Sequence, residues 1–508
     1  YLNGNIQLRG LIAREARKTL SVDLPQAKGP RKPFQWPLEF PEIFVRKNGG
    51  FDGVVGNPPF MGGKIIATAC GPGFAKYLRM VFFRARNTAD LCSYFFQRCT
   101  LLLCEKGCLG MLATNSIGQG DTSECGLGFA VEKGATIYFA RSTFVWPGSA
   151  NVYASYVCLR KGNHRGSKEL DGKTVESITP RLREDKGKAS IGTPKRIKRH
   201  AVDCFVGSFV RGMGFVISPT EAEAIRENDA NSPQIIFPYL NGEDLYSNAR
   251  CEATRDIINF FDWPIEKARR HKNAFRIVEE RVFQFRQTVK EKSAREKWWQ
   301  YAGLKKELYD AISDLRKVLV RARVSNTHAI VLVQSRQVFS DQIVVFGTDS
   351  MSIFAVLQST IHETWIRQYG STLKGDQRYS PSECFDTFVF PHISSDLEKI
   401  GNTYHQVRDL LLKDTQEGLT NIYKRFHDIS DSTPGIRELR KLHEEIDSLV
   451  TSAYGWKDLD LQYGFHKMNQ GIRFTISEEA KVEITRRLLK LNHERYEEEV
   501  GLHHNSKK

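Results

Sequence analysis

The sequence predicts an α/β layered domain at the start of the chain, followed by a mixed α+β domain and a helical tail. Four short apolar segments have the composition of buried strands: 51–56, 108–113, 135–140 and 153–159. Helical periodicity over 74–105 separates the first two, and strands that alternate with helices indicate an α/β layered domain. Helical patterns over 395–455 and 477–500 predict the tail.

The length of the chain predicts several domains. At 508 residues it exceeds what a single hydrophobic core usually organises. Between about 161 and 200 the composition becomes polar and basic, which is typical of a linker or an insertion. The predicted boundaries are 1–162 for the α/β domain, 163–199 for a basic linker or insertion, 200–393 for the mixed α+β domain and 394–508 for the helical region.

The charge balance favours a nucleic acid as partner. The chain has 74 Lys and Arg against 59 Asp and Glu, and a net charge of +15 fits a polyanionic partner. An anionic membrane surface is the alternative, but there is no apolar run of about 18 residues, no basic amphipathic anchor and no lipidation motif. We therefore expect nucleic-acid binding and no membrane association.

The ten cysteines indicate no metal site. No pair has Cys-x-x-Cys spacing, and the densest group, between Cys92 and Cys108, lies in an apolar helical stretch where buried free thiols are common. We expect reduced thiols, which suggest a cytoplasmic location, and we predict no bound metal.

Asn57-Pro58-Pro59-Phe60 is the most informative motif, and it directly follows the strand predicted over 51–56. The Asn57 oxygen and the Pro58 carbonyl are hydrogen-bond acceptors, and the two prolines stiffen the loop that carries them. Such acceptors can draw the hydrogens of a base amino group aside, so that its lone pair faces a methyl sulfonium. The Phe60 ring can stack on a base held outside the duplex. The alternative is an ordinary Pro-Pro turn with an incidental Asn and Phe.

The motif resembles motif IV of the amino-group DNA methyltransferases, in the form typical of adenine-N6 enzymes. Other segments resemble large methyltransferases of fused type II restriction–modification proteins and of phage-defence systems, including the DISARM class. These segments are 113–120, 144–146, 239–245, 295–299, 378–380, 385–391 and 418–456.

The resemblance implies that 1–162 form the carboxy-terminal half of a Rossmann-like methyltransferase domain and that 200–393 form a target-recognition domain. It implies S-adenosyl-L-methionine (SAM) as methyl donor and double-stranded DNA as substrate. The methyl group would go to N6 of adenine, in restriction–modification or phage defence. The loop Asn57–Phe60 is then catalytic, and other restriction or phage-defence subunits are further expected partners.

The sequence departs from the family in the region that should bind SAM. The family uses a loop of the form Phe-x-Gly-x-Gly after an early strand, and no such loop precedes Phe51. Gly71-Pro72-Gly73 follows the motif and is interpreted as a turn. We expect the cofactor loop upstream of Tyr1, and no PD-(D/E)xK nuclease pattern stands out. The alternative is a non-catalytic DNA-recognition subunit that depends on a partner for SAM. Methylation of RNA or of protein glutamine is a third possibility.

Further candidates for DNA contact lie outside the motif. Two of them end a predicted strand, one follows a pair of glycines, and the others lie in the basic run 195–199 or in a glycine-containing loop near 374–379. For each, a solvated or purely structural role is the alternative. The predicted DNA-binding residues are Lys64, Asn115, Ser116, Lys195, Arg196, Lys198, Arg199, Lys374, Arg378 and Tyr379.

Overall fold

The computed structural model describes residues 34–146, 153–184, 193–198, 202–289, 291–373, 376–468 and 471–505. The chain divides into two units, Tyr1–Ile191 and Gly192–Lys508. The predicted helical region 394–508 therefore lies in the same unit as the predicted mixed α+β domain.

One mixed sheet forms the centre of the first unit. Its strands are β1 Phe51–Gly56, β2 Leu103–Thr114, β3 Ala135–Val145, β4 Tyr153–Lys161, β5 Lys168–Leu170 and β6 Lys173–Val175. The order across the sheet is β1-β2-β4-β3-β5-β6. β1 runs parallel to β2, with Gly56 opposite Met111, whereas β2 and β3 both pair antiparallel with β4. All four strands predicted for this region are present.

Helices cover this sheet, as the alternating pattern predicts. They are α1 Trp36–Glu39, α2 Pro41–Phe44, α3 Gly63–Cys70, α4 Pro72–Val81, α5 Leu91–Leu102, α6 Gly120–Ser123 and α7 Phe129–Glu132. A π-helical segment, Glu124–Gly128, joins α6 to α7, so that the chain is continuously helical over 120–132. α5 packs on β2, where its fully buried Phe96 shares a core with Leu109 and Val157 of the sheet.

The stretch 163–199 differs from the predicted linker or insertion. Strand β5 pairs with β3 and extends the first sheet, and β6 pairs with β5. Residues 193–198 belong to the second unit, where the Asn492 side chain bonds the N–H of Lys195 (2.7 Å) and its carbonyl oxygen (2.8 Å). The described parts of this stretch are therefore divided between two folded units, since their backbone groups find partners in the protein.

The second unit contains two four-stranded sheets and two hairpins. Its strands are β7 Cys204–Val206, β8 Val216–Ile217, β9 Ile236–Leu240, β10 Asp256–Ile258, β11 Lys317–Ala322, β12 Val331–Gln334, β13 Val338–Phe339, β14 Ile343–Phe346, β15 Ser371–Leu373, β16 Asp376–Arg378, β17 Gly464–Met468 and β18 Gly471–Thr475. The sheet orders are β13-β9-β10-β8 and β12-β11-β14-β7. β15 with β16, and β17 with β18, form antiparallel hairpins. All four residues of β14 are fully buried, so both faces of its sheet are covered.

The helices of the second unit lie mainly in its later part. They are α8 Pro219–Asn228, α9 Gly242–Ser247, α10 Ile265–Ala268, α11 Lys272–Gln287, α12 Lys292–Glu296, α13 Lys306–Ala311, α14 Met351–Gln358, α15 Thr360–Tyr369, α16 Ser395–Thr415, α17 Leu419–Phe426, α18 Pro434–Ala453 and α19 Glu478–Asn505. α16 packs against α14 and α18, and a Cβ at Gly401 would collide with the carbonyl oxygen of Met351. Within the described ranges, no helix is both long and apolar enough to cross a membrane.

Candidate active site

The loop Asn57–Phe60 follows the carboxyl end of β1, beside the carboxyl end of its parallel neighbour β2. Ligands of open α/β sheets bind outside the carboxyl ends of parallel strands. The loop that follows β2 begins with Asn115 and Ser116. The structure thus brings three sequence-predicted elements, the Asn57 loop and these two residues, to one edge of the sheet.

The four residues of the loop differ in exposure. Asn57 and Pro59 are exposed, Phe60 is half-buried and Pro58 is buried. No described residue forms a hydrogen bond with the Asn57 carboxamide. Pro58 therefore anchors the loop to the protein, and its ring fixes φ. The Asn57 oxygen remains available as an acceptor for a group outside the protein.

Asp90 anchors the residue that follows the loop. Its Oδ1 accepts hydrogen bonds from the N–H of Met61 (3.3 Å) and the N–H of Cys92 (3.1 Å), so it also caps α5. The Met61 carbonyl oxygen accepts from the N–H of Leu91 (2.9 Å). Asp90 is only 6% exposed, and hydrogen bonds are stronger away from water. The exit of the loop and the start of α5 are therefore fixed together.

Sequence reasoning missed Asp90, although half of its signal is local. An aspartate directly before an apolar helical run is an N-cap signal, and Asp90 precedes Leu91 in this way. The bond to Met61 crosses 29 positions of sequence and has no local signature.

α3 begins close behind the loop and requires glycine at its first position. A Cβ at Gly63 would collide with the carbonyl oxygen of Asn87 and lie 2.6 Å from that of Ala89. The next residue, Lys64, is exposed, and it makes no ion pair with any residue that the structure describes. Lys64 thus lies on the surface, four residues after Phe60 in the chain, and its contact with DNA stays a prediction.

The loop after β2 is connected to the same anchor. The hydroxyls of Thr114 and Ser116 share a hydrogen bond of 2.6 Å, and Asn115 is half-buried. In the helix that follows, Thr122 Oγ1 accepts from the N–H of Asp90 (3.1 Å). This helix contains the π-helical segment, a feature frequent near functional sites. Asp90 is therefore bonded both to the residue after the Asn57 loop and to the helix that follows the loop after β2.

Three titratable groups of the first unit have pKa values that are shifted away from neutral pH. A hydrogen bond from Arg46 (2.8 Å) lowers the pKa of the Asp52 carboxyl on β1. Burial raises the pKa of the Cys92 thiol, and burial raises the pKa of Tyr94 to about 12. The two acceptors of the loop, an amide oxygen and a backbone carbonyl, do not titrate. The loop can therefore orient an amino group without a proton-accepting side chain.

A polar groove of about 610 Å³ opens on the second unit. Its lining includes Arg323, Arg378, Asp341, Gln342 and Glu243. Arg323 Nη1 donates to the carbonyl oxygen of Asp341 (3.2 Å), and burial together with the nearby charge of Arg378 lowers the pKa of Arg323. Arginine, glutamine and carboxylate side chains are those that bond base edges in the major groove of DNA.

The position of Tyr379 corrects the prediction that it contacts DNA. The residue is completely buried, and its hydroxyl bonds to Nε2 of His362 (3.2 Å). Its ring lies 4.6 Å from the guanidinium carbon of Arg321. Neighbouring side chains of an extended chain point to opposite sides, which places Tyr379 in the core while Arg378 lines the groove. Lys374 and Arg199 lie outside the described residues.

The basic run near 195 is fixed along its backbone. Ile197 is buried, and the N–H of Lys198 donates to Glu499 (2.9 Å). The side chain of Lys195 is half-buried, whereas those of Arg196 and Lys198 are exposed. The run thus presents two cations to solvent from an ordered backbone.

Two segments of the chain match known families, one in each unit. Residues 8–124 match the Eco57I restriction-modification methylase, and residues 196–392 match the MmeI target recognition domain. The first segment contains the loop Asn57–Phe60, and the second contains both groove arginines.

Individual relatives agree with these matches. The chain is 30% identical to DNA methyltransferase A of Bacillus subtilis (strain 168) over 125 residues. This match covers 24% of the chain and 13% of the relative. The solved structure of the type IIL restriction-modification enzyme MmeI in complex with DNA resembles the chain with a TM-score of 0.62 and 18% identity. The match covers 87% of this chain and 57% of the MmeI chain. The chain thus spans only part of each relative, and the structural match confirms the predicted fold class. The chain is therefore similar to the Eco57I restriction-modification methylase over 8–124 and to the MmeI target recognition domain over 196–392.

Proposed function

We propose that the protein is a site-specific DNA methyltransferase that moves a methyl group from SAM to N6 of adenine in double-stranded DNA. Its place of action is the cytoplasm, in restriction–modification or phage defence. The observation that carries the proposal is the Asn57 carboxamide, which is exposed and bonds to no described residue, beside the Pro58 carbonyl at the carboxyl end of a parallel strand in the segment that matches a methylase.

The proposed chemistry follows from the weakness of the adenine amino group as a nucleophile. Its lone pair is delocalised into the ring, so the base must be held outside the duplex with its amino hydrogens directed to acceptors. Asn57 Oδ1 and the Pro58 carbonyl oxygen would each accept a hydrogen bond from one amino hydrogen of the adenine. The dipoles of both groups would stabilise the positive charge that develops on N6. The half-buried ring of Phe60 would stack on the base, while Pro59 stiffens the loop.

SAM would supply the electrophilic methyl group. A Gly-rich loop between a strand and a helix usually holds this kind of cofactor. The described residues before β1, 34–50, form α1 and α2 and include no loop of this kind. The described residues before β1 therefore do not fit the cofactor, and we assign roles only to the groups that would hold the base.

The second unit would select the sequence that is methylated. Guanidinium groups such as those of Arg323 and Arg378 can bond guanine, and Gln342 can bond adenine. The cations near the sheet edge and in the run near 195 suit backbone phosphates. The proposed DNA contacts are Lys64, Asn115, Ser116, Lys195, Arg196, Lys198 and Arg378.

A recognition subunit without catalysis is the second candidate, because the described residues include no cofactor loop. Long-read modification sequencing of DNA from methylation-deficient bacteria that express the protein separates the two. Methyladenine at one recurring motif, absent with Asn57→Ala, is the expected result, and Arg378→Gln should broaden the motif. DNA binding without methylation would favour the second candidate. The measurement is repeated with other restriction or phage-defence subunits, which are the proposed partners, and methylation should remain absent in that case as well.

A further inference from the structure

From the last turn of α10 to the first residue of α11 in the second unit, the chain carries four cations within six residues: Lys267, Arg269, Arg270 and Lys272. We call these four residues the cation strip. All four are exposed, whereas Ala268 and His271 between them are buried. The strip therefore forms one outward surface, whose net charge remains positive after the exposed Glu266 beside it is counted.

The charges of the cation strip lack carboxylate partners, unlike those of nearby arginines. Arg226 pairs with Asp256 (3.3 Å), and Arg276 on α11 pairs with Glu280 (3.1 Å). No residue in the described ranges forms an ion pair with a member of the strip. Closely spaced like charges repel one another, and an anionic partner removes that repulsion.

Aromatic rings support two of the cations without neutralising them. The Lys267 ammonium lies 3.7 Å from the centre of the Trp263 ring, and the Arg269 guanidinium carbon lies 5.5 Å from that of Phe275. Cation–π contacts of this kind orient a side chain while its positive charge remains available.

The backbone under the strip is held in place. His271 Nδ1 bonds to Asp229 (2.7 Å), and the His271 ring stacks on Trp263 with centroids 5.8 Å apart. The Trp263 carbonyl oxygen accepts from the indole N–H of Trp299 (2.8 Å). A fixed backbone lowers the entropy lost on binding, so the strip is prepared for a partner.

We propose that the cation strip binds the phosphate backbone of double-stranded DNA as a sequence-independent anchor, separate from the groove lined by Arg323 and Arg378. The strip consists of Lys and Arg side chains on an exposed turn, which suits phosphate oxygens, whereas the groove offers the mixed donors and acceptors that base edges need. The inference rests on the proposed function in one respect, namely that duplex DNA is the substrate.

The test compares the salt dependence of DNA affinity between the unsubstituted protein and a variant of it that lacks three charges of the cation strip. The variant Arg269→Gln/Arg270→Gln/Lys272→Gln is titrated with a fluorescent duplex of about 30 base pairs, with and without the methylated motif, at about 50 to 200 mM salt. Loss of three phosphate contacts should reduce the slope of log affinity against log salt by about 2 to 3 and weaken binding by about tenfold or more on both duplexes.

The matched control removes the same charge elsewhere: Lys399→Gln/Lys413→Gln/Arg486→Gln, three exposed cations that have acidic partners on α16 and α19. The control should keep the wild-type slope, and equal melting temperatures of the proteins exclude unfolding. A strip variant with the wild-type slope, or a control with an equal loss, would overturn the anchor. If the unsubstituted protein binds no duplex at all, the proposed function fails and the anchor fails with it.

Discussion

The loop after β1 presents a neutral carboxamide at the surface, whereas the interior of the second unit buries ionisable side chains in a hydrogen-bonded layer. There, Arg321 Nη1 bonds to His328 Nδ1 (3.2 Å), and His328 Nε2 bonds to the carbonyl oxygen of Leu357 (2.8 Å). The Asn57 side chain bonds to no described residue, and Asp90 fixes the residue that follows its loop, as the proposed binding of a base requires. A unit that must hold a fixed recognition surface can satisfy its polar groups internally, and it becomes sensitive to their protonation.

Removal of the exposed carboxamide should give the largest effect of all. Asn57→Ala should lower the methyl-transfer rate by roughly 100- to 1,000-fold, the loss typical of one preorganised polar group at a reacting centre. The melting temperature should not change, because the Asn57 side chain bonds no described residue. Transfer of tritiated methyl groups to a duplex with the recognised motif measures the rate.

Asn163→Ala is the matched control for this variant. Asn163 is exposed and follows β4, which runs antiparallel to β2, so it lies at the end of the strands opposite to Asn57. Normal transfer by a folded Asn57→Ala protein, or an equal loss in both variants, would remove the loop from the reaction.

The anchor below the loop should affect stability and rate together. Asp90→Ala removes a helix cap, which costs about 1 kcal/mol, and leaves the half-buried N–H of Met61 without its side-chain acceptor, which costs about 1 kcal/mol more. The displaced loop should lower kcat by about ten- to a hundredfold, with little change in KM for DNA.

Asp90→Asn separates positioning from charge, because its side-chain oxygen can still accept both hydrogen bonds. This variant should recover most of the stability and most of kcat in the same assays. If Asp90→Asn is as inactive as Asp90→Ala although it is stable, the carboxylate charge has a role beyond positioning.

Asn57 and Asp90 show what the sequence can predict and what it cannot. The position of the Asn57 loop at the end of a strand was predictable, because its four consecutive residues directly follow an apolar segment; its role in methyl transfer stays a prediction. The pairing that places Ser116 near this loop joins β1 to β2 across more than fifty positions, and local periodicity does not contain it. The same holds for the bond between Asp90 and Met61. A local pattern identifies elements, whereas the partner of each element depends on tertiary packing.

Two details that the sequence did not reveal have a similar cause. β5 and β6 have three residues each, too few to show an alternating pattern, so the polar composition of 163–199 suggested a linker or an insertion without strands that extend the first sheet. For Tyr379, a short strand next to a predicted loop did not reveal which side chains face the core. Fully buried polar layers, such as the one around His328, are also invisible to hydrophobic periodicity.

The buried layer should make the second unit sensitive to mild acid. Burial lowers the pKa of His328 to about 3, and burial also lowers the pKa of His362 far below its usual value. Both are neutral in the folded protein, while in the unfolded chain a histidine takes up a proton below about pH 6.5. Stability is therefore complete above that pH and falls as the pH decreases toward 3, by about 1 kcal/mol per histidine between about pH 7.5 and 5.5.

Urea unfolding at the two pH values measures this change, and His328→Gln tests its source. The glutamine can still accept a bond from Arg321 but cannot be protonated, so the loss on acidification should shrink by about 1 kcal/mol. An unchanged dependence on pH would mean that other groups control acid stability. The activity of Asn57 itself should show no matching change, since its acceptors do not titrate.

The smallest effect is expected at Lys64, which follows the loop Asn57–Phe60. A single phosphate contact contributes about 0.9 to the slope of log affinity against log salt, so Lys64→Gln should weaken DNA binding only about threefold at moderate salt. Its rate at saturating DNA should remain normal, because the charge would position DNA without touching the reacting amino group. Lys106→Gln, an exposed lysine in the first half of β2, is the control. If both variants bind DNA equally well, Lys64 contacts no phosphate, and the salt dependence of binding must come from other cations, such as those of the cation strip.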